Sequence, residues 1–330
     1  MQFNQLKRRD FITLLSGAMA WPLAARAQLP KRLGVLVTFT QDDADAQSFV
    51  QALLQRLGDY GWRDGRNLSI EYRWGAAERS RAQGLAQELV ETRPDLIIAS
   101  GGPAAAAVSR TTRAIPVVFV QVIDPVALGI VPNMARPGGN LTGFTHFEAA
   151  IGGKWLELLK EIAPGISRVV VLLDPDNPAS PIYLRGIEQL APSFGLRLHV
   201  ESARNAAEIE RSLNAVVQEP NSAVVMVPNP VAIRDRELTI SLMAKLRLPA
   251  VYPHSYFVKH GGLLSYGVDL IEMYRQSATY VDRILRGERP GDLPIQAPTK
   301  YELMINLKTA KALGLDVPWI MQQRADEVIE

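Results

Sequence analysis

The chain has 330 residues, 47% of them apolar, with a formal net charge of +2 and no cysteine. The missing cysteines exclude disulfides, thiolate metal sites, a cysteine nucleophile and a lipid-bearing N-terminal cysteine. Four basic residues (Lys7, Arg8, Arg9, Arg26) and one acid (Asp10) fall within 1–27, leaving 32 basic against 33 acidic residues, which gives nucleic-acid binding no support.

Residues 1–27 read as a cleavable export signal. Lys7-Arg8-Arg9 precede the apolar stretch Phe11–Leu23, and Ala25-Arg26-Ala27 fits a small-x-small cleavage site. The paired arginines followed by Asp10-Phe11-Ile12 resemble a twin-arginine signal. The apolar stretch is short for a membrane span. The expected product is a free protein of the bacterial periplasm, cleaved near Ala27 and not a lipoprotein. About 300 residues then remain, enough for two domains.

The mature chain opens with a strand at Leu33–Thr38, followed by a helix in which Phe49, Val50, Leu53, Leu54 and Leu57 recur at helical spacing. A strand at Leu68–Tyr72, a helix at Ala76–Glu91 and a buried strand at Leu96–Ser100 follow. Gly101-Gly102-Pro103 starts a helix of small residues, with proline where its missing N–H is harmless. Val117–Val122 is a fourth strand, broken by Asp124-Pro125. Val126–Ala135 has room for one or two helical turns, and Pro137-Gly138-Gly139-Asn140 reads as a hinge.

The same grammar then restarts. An amphipathic helix at Gly153–Ile162 leads to strands at Arg168–Leu173, Leu196–Val200, Ala223–Val227 and Ala250–Tyr252, separated by helices at Ile182–Ser193, Ala206–Gln218 and Ile233–Leu246. Matching strands in the two halves lie about 130 residues apart, so the βα order repeats although the residues do not. Leu263–Gly267 reads as a strand, Ile271–Leu285 as a helix and Leu293–Ala297 as a further strand. Tyr301–Leu307, a short helix at Lys308–Leu313 and Trp319–Glu330 close the chain. The fold class is therefore α/β, with two doubly wound Rossmann-like lobes joined by a multi-crossover hinge. Residues 31–142 plus 267–297 form the N-terminal lobe, and 143–266 plus 298–330 the C-terminal lobe. A returning tail restricts two lobes to opening and closing.

Enzyme signatures are absent. Phe39-Thr40-Gln41 stands where a dinucleotide-binding glycine turn would lie, and there is no P-loop, Gly-x-Ser-x-Gly elbow or His-Glu-x-x-His. Neither a metal nor a cofactor is expected. The four histidines lack ligand spacing and read as structural or surface residues, although His146 and His254 follow a predicted hinge or strand end and stay open as cleft residues. What remains is polar residues at strand tips, where open α/β sheets bind ligands. Thr38, Ser100, Gly101, Gly102, Gln121 and Asp124 belong to the first lobe, Asp174, Asn177 and Asn229 to the second. The helix starting at Pro103 offers free N–H groups to a carboxylate. Asp124 or Asp174 could hold an ammonium. Phe39, Tyr183, Tyr252 and Tyr266 could sandwich an apolar side chain. Turn chemistry alone also explains Asp174-Pro175, Asn177-Pro178 and Asn229-Pro230.

Three segments resemble a known family: Asp124-Pro125-Val126-Ala127-Leu128-Gly129, Arg136-Pro137-Gly138-Gly139-Asn140-Leu141-Thr142-Gly143 and Gly261-Gly262-Leu263-Leu264-Ser265-Tyr266-Gly267. Together with the stretches 305–315 and 324–330, they are similar to the ABC-transporter substrate-binding family that includes tryptophan- and tyrosine-binding lipoproteins. The resemblance implies a type I periplasmic-binding-protein fold with three crossovers, and capture of a small amino-acid-like or carboxylated solute for a membrane permease and its ATPase. It also implies that Asp124 and the Ser100–Gly102 tip line one side of a cleft and Asp174 and Asn229 the other. Asn140–Gly143 and the segment around Tyr266-Gly267 would be crossovers. The protein is expected to act as a monomer. A periplasmic sensor domain and an exported α/β enzyme using Asp124 or Asp174 are the competing readings.

Overall fold

Two mainly parallel sheets organise the molecule, and the inner strands of each are apolar runs buried along most of their length, while edge strands such as β7 (Arg197–Ser202) are largely exposed. The structure is a computed structural model and describes residues 29–77, 79–146, 151–177, 179–217 and 219–330. The expected export signal lies outside the described residues.

The first sheet contains β1 (Lys31–Val37), β2 (Leu68–Trp74), β3 (Leu96–Ser100), β4 (Val117–Val122) and β5 (Leu141–Thr145), in the order β2-β1-β3-β4-β5. Every residue of β3, β4 and β5 is buried, as expected of a parallel sheet covered on both faces. Helix α1 (Ala44–Asp59) starts where the Asp43 carboxylate accepts the Ala46 N–H at 3.0 Å, and it buries Phe49, Val50, Leu53 and Leu57 on one stripe. Helices α2 (Arg79–Glu91) and α3 (Gly102–Thr111) complete the first βα series.

The second sheet has the order β12-β11-β10-β9-β8-β6-β7. It comprises β6 (Arg168–Leu173), β7 (Arg197–Ser202), β8 (Ser222–Met226), β9 (Ala250–Tyr252), β10 (Leu264–Val268), β11 (Tyr301–Asn306) and β12 (Glu327–Ile329). Only the β10–β11 pair is antiparallel. The connecting helices are α4 (Ile151–Ile162), α5 (Ser180–Leu190), α6 (Ala206–Val216), α7 (Pro230–Arg234), α8 (Arg236–Lys245) and α9 (Ser255–Lys259). One expected helix over Ile233–Leu246 is two, because Asp235 leaves helical geometry between α7 and α8 (φ −102°, ψ 34°).

The tail ties the lobes together. Helix α10 (Leu270–Leu285) follows β10 but packs on the first lobe: Tyr274 stacks on Phe49 with centroids 5.4 Å apart, and Trp62 Nε1 donates to Asp282 at 2.8 Å. The chain then returns to the second sheet as β11, followed by α11 (Leu307–Leu313), α12 (Trp319–Arg324) and β12. Among the described elements it passes between sheets after β5, after β10 and before β11. At this last pair Lys300 Nζ lies 3.3 Å from the Asp269 carboxylate.

Four local expectations shift. The first crossing is expected at Asn140–Gly143, but β5 starts at Leu141 there and pairs with β4. Asn140 is buried, donating to the Ile115 carbonyl at 2.7 Å, and Thr142 Oγ1 donates to the Leu293 carbonyl at 2.8 Å. The second crossing follows Val268, so Tyr266-Gly267 lies inside β10. Leu293–Ala297 is not a strand: it makes a single bridge, Phe144 to Gln296, because Pro294 and Pro298 cannot donate to a ladder. Val126–Ala135 forms turns rather than a helix.

Candidate functional site

The first-lobe strand tips form one closed polar network. Thr38 Oγ1 donates to the Ser100 carbonyl at 2.5 Å. Ser100 Oγ donates to Gln121 Oε1 at 3.2 Å and shares a hydrogen bond with the Tyr274 hydroxyl. All four side chains are buried, and burial pushes the Tyr274 phenol well above its ordinary range. The network needs two unusual backbones. Gly101 has φ 91°, and a Cβ there would lie 2.3 Å from Thr38 Oγ1. Gln121 has φ 60°, where the β4–β5 register slips between Phe119 and Val122. A non-glycine residue held at positive φ inside a core marks a place where the surroundings impose the backbone. Gly102 opens α3 half-buried, with no side chain capping that end.

The expected carboxylates are occupied with turns. Asp124 Oδ1 accepts the N–H groups of Val126 and Ala127 at 3.1 and 2.9 Å. Asp174 Oδ1 accepts from the Asp176 N–H at 2.9 Å, and Asn177 accepts from the Ala179 N–H at 3.1 Å while donating to the Pro228 carbonyl at 3.2 Å. These contacts are the Asx turns that their sequence positions also allow. Asn229 differs. Its Oδ1 caps α7 by accepting from Val231 and Ala232, but its Nδ2, in a residue 1% exposed, has no partner among the described residues. Tyr266 is half-buried, stacked on Tyr301 with centroids 5.7 Å apart, while its carbonyl accepts from Trp155 Nε1 at 2.7 Å.

Rings bridge the boundary between the lobes. Phe39, just past β1, meets Phe49 and, edge-on at 6.0 Å, Tyr256 of α9. Tyr256 stacks on His254, and His254 stacks on His146 at 5.7 Å with 17° between the planes. Both histidines are buried. Burial pushes His146 down to about 3 against a weaker upward pull from a hydrogen bond to the Val122 backbone. Burial and the neighbouring His146 push His254 well below its ordinary value. Both imidazoles are therefore neutral near pH 7. The sequence leaves these two positions open and does not single out Tyr256. The available signal was position: His254 follows the tip of β9 and Tyr256 stands two residues on. His199 and His260, by contrast, lie near the surface beside Glu201 and Asp45. Burial also leaves the Tyr256 hydroxyl and Ser265 Oγ without partners among the described residues. Among those residues no cluster of His, Asp or Glu could hold a metal ion, and no helix is long and apolar enough to cross a membrane.

Residues 33–329 match the family described as ABC transporter substrate binding protein. A tyrosine-binding protein of Clostridioides difficile (strain R20291) is 26% identical over 288 residues, covering 86% of this chain and 81% of that protein. The crystal structure of an ABC domain from Streptococcus pneumoniae in complex with L-Trp superposes with a TM-score of 0.84 at 21% identity, covering 91% of this chain and all of the other. A ligand-free, open substrate-binding protein from Clostridium difficile superposes at 0.67, also at 21% identity, covering 91% of this chain and 99% of that one.

Proposed function

The chain belongs to the ABC transporter substrate-binding protein family, and from that premise we propose that it captures an aromatic amino acid between two closing lobes for an inner-membrane importer. The observation that carries this reading is the meeting of strand tips from both sheets across one boundary, with Phe39 against Tyr256 and His146 against His254. Aromatic walls suit a planar side chain, and neutral imidazoles suit a ligand whose own charges cancel. Asn229 Nδ2 is a buried donor in need of an acceptor, which a ligand carboxylate supplies. The named ligands of the two relatives, tyrosine and L-Trp, support the same class.

In this reading the N-terminal lobe is the five-stranded sheet with α10 and the C-terminal lobe is the seven-stranded sheet. The overlap is greater with the L-Trp complex than with the open, ligand-free protein at equal identity, which supports a closed arrangement here. Residues 1–27 direct export to the periplasm, where the closed monomer meets a permease and its ATPase. Ligand binding biases the open–closed equilibrium only as far as it prefers the closed form.

Thermal-shift and calorimetric titration against L-tryptophan, L-tyrosine, the other amino acids and short carboxylates test the reading. An aromatic amino acid raises the melting temperature in a concentration-dependent way. Asn229→Asp keeps the cap of α7 but removes the donor, and weakens that binding about tenfold or more. The proposal fails if no amino acid shifts the melting temperature, or if mass spectrometry shows that the bound compound is turned over.

A further inference from the structure

The lobes also meet through charge, beside the rings. Arg236 is the first residue of α8 in the second lobe, and its Nη1 donates to the Oδ2 atom of Asp43 in the first. Its Nη2 lies 3.6 Å from the Asp45 carboxylate, which His260 Nε2 approaches from the second lobe at 3.2 Å. The side chains of Arg236 and Asp43 are only 13% and 7% exposed. The placement runs against local preference, since a cation at a helix N-terminus faces the positive end of the helix dipole. Arg236 also lies over the Tyr256 ring, 5.9 Å from its centroid, with its Nε unpartnered among the described residues.

Asp43 has two roles on two oxygens. Its Oδ1 accepts the Ala46 N–H and caps α1, while Oδ2 accepts Arg236. The start of a first-lobe helix is thus joined directly to the start of a second-lobe helix. We propose that Arg236 and Asp43 form a closure latch, in which each charge is buried only when the other is in place. This inference rests on the two-lobe binding reading and adds what governs closure. A buried ion pair gains little over hydration of its separated halves, but removal of one partner leaves the other charge buried and unpaired. The latch therefore sets which closed geometry is allowed. Loss of either member favours the open form and speeds ligand release more than it slows capture.

The absence of native cysteine makes the test clean. Gln55→Cys on α1 and Ala215→Cys on α6, both exposed, report the distance between lobes through paired spin labels. Distances are read on the mature chain without ligand and with saturating L-tryptophan or L-tyrosine. Asp43→Asn retains a capping oxygen and loses the charge. Arg236→Gln loses its charge, and Arg236→Lys keeps it. The short-distance population falls about fivefold or more in Arg236→Gln, falls in Asp43→Asn, and is largely retained in Arg236→Lys. The latch is refuted if Arg236→Gln and Asp43→Asn match the wild type, or if Arg236→Lys opens as far as Arg236→Gln. A wild type that never populates the short distance refutes it as well. Binding is read separately: a wild type whose melting temperature no amino acid moves refutes the ligand reading, while the ligand-free distances still decide the latch.

Discussion

The two lobes treat their buried polar atoms differently. In the first, Thr38, Ser100, Gln121 and Tyr274 satisfy one another within a single network. In the second, Asn229 Nδ2, Arg236 Nε, the Tyr256 hydroxyl and Ser265 Oγ are buried without partners among the described residues. A buried polar group without a partner is destabilising unless something else supplies one. The contrast makes the first lobe a finished polar floor and leaves the second with buried donors, to which the proposed reading gives the recognition of a ligand.

Breaking the floor should have the largest effect. Gly101→Ala forces a side chain into a backbone with φ 91° and places its Cβ 2.3 Å from Thr38 Oγ1. The expected loss is about 3 kcal/mol of unfolding free energy, from backbone strain and displacement of Thr38. Chemical denaturation measures it. A loss under about 1 kcal/mol would mean that the floor rearranges freely and is no more preformed than the second lobe.

Acid probes the seam between the lobes. His146 is held at about 3 against an ordinary 6.5, so the unfolded chain binds a proton that the folded chain refuses. Stability is therefore full above about pH 6.5 and declines as pH falls toward 3, by about 1.4 kcal/mol per pH unit once the unfolded imidazole is protonated. Lowering the pH from 7 to 5 should remove roughly 2 kcal/mol through His146 alone, with His254 acting in the same direction. His146→Gln should flatten this slope. An unchanged slope would show that the imidazole is already hydrated and that the seam is open in solution.

Much of this contrast could be read from residue order. The apolar runs of β1, β3, β4, β6 and β8 announced buried parallel strands, and their spacing announced a repeated lobe. Strand tips followed from topology, so the positions of Thr38, Phe39, Ser100, Gln121 and Asn229 at or just past strand ends could be read in advance. Three kinds of feature were hidden. Asp124, Asp174 and Asn177 could not be separated from turn residues, because one carboxylate or amide does either job and only partner geometry decides. β5 lay behind Pro137-Gly138-Gly139, a sequence that stops a helix but does not prevent a strand from starting at Leu141. Arg236 and Asp43 are 193 positions apart in different lobes, and no local pattern records a pair at that range.

The sharpest test of the comparison uses one chemical change in each lobe. Tyr274→Phe and Tyr256→Phe both delete a phenolic hydroxyl from a buried ring. In the first lobe the hydroxyl is shared with Ser100, so its loss should cost about 1 kcal/mol. In the second the hydroxyl has no partner among the described residues, so its removal takes away a desolvated group and should leave ligand-free stability unchanged or raise it by up to about 0.5 kcal/mol. Amino-acid affinity should behave in the reverse way, falling with Tyr256→Phe and holding with Tyr274→Phe. Urea midpoints and calorimetric affinities for the two proteins supply all four values. If Tyr256→Phe is the more destabilising change, its hydroxyl is satisfied in solution and the second lobe is as self-contained as the first.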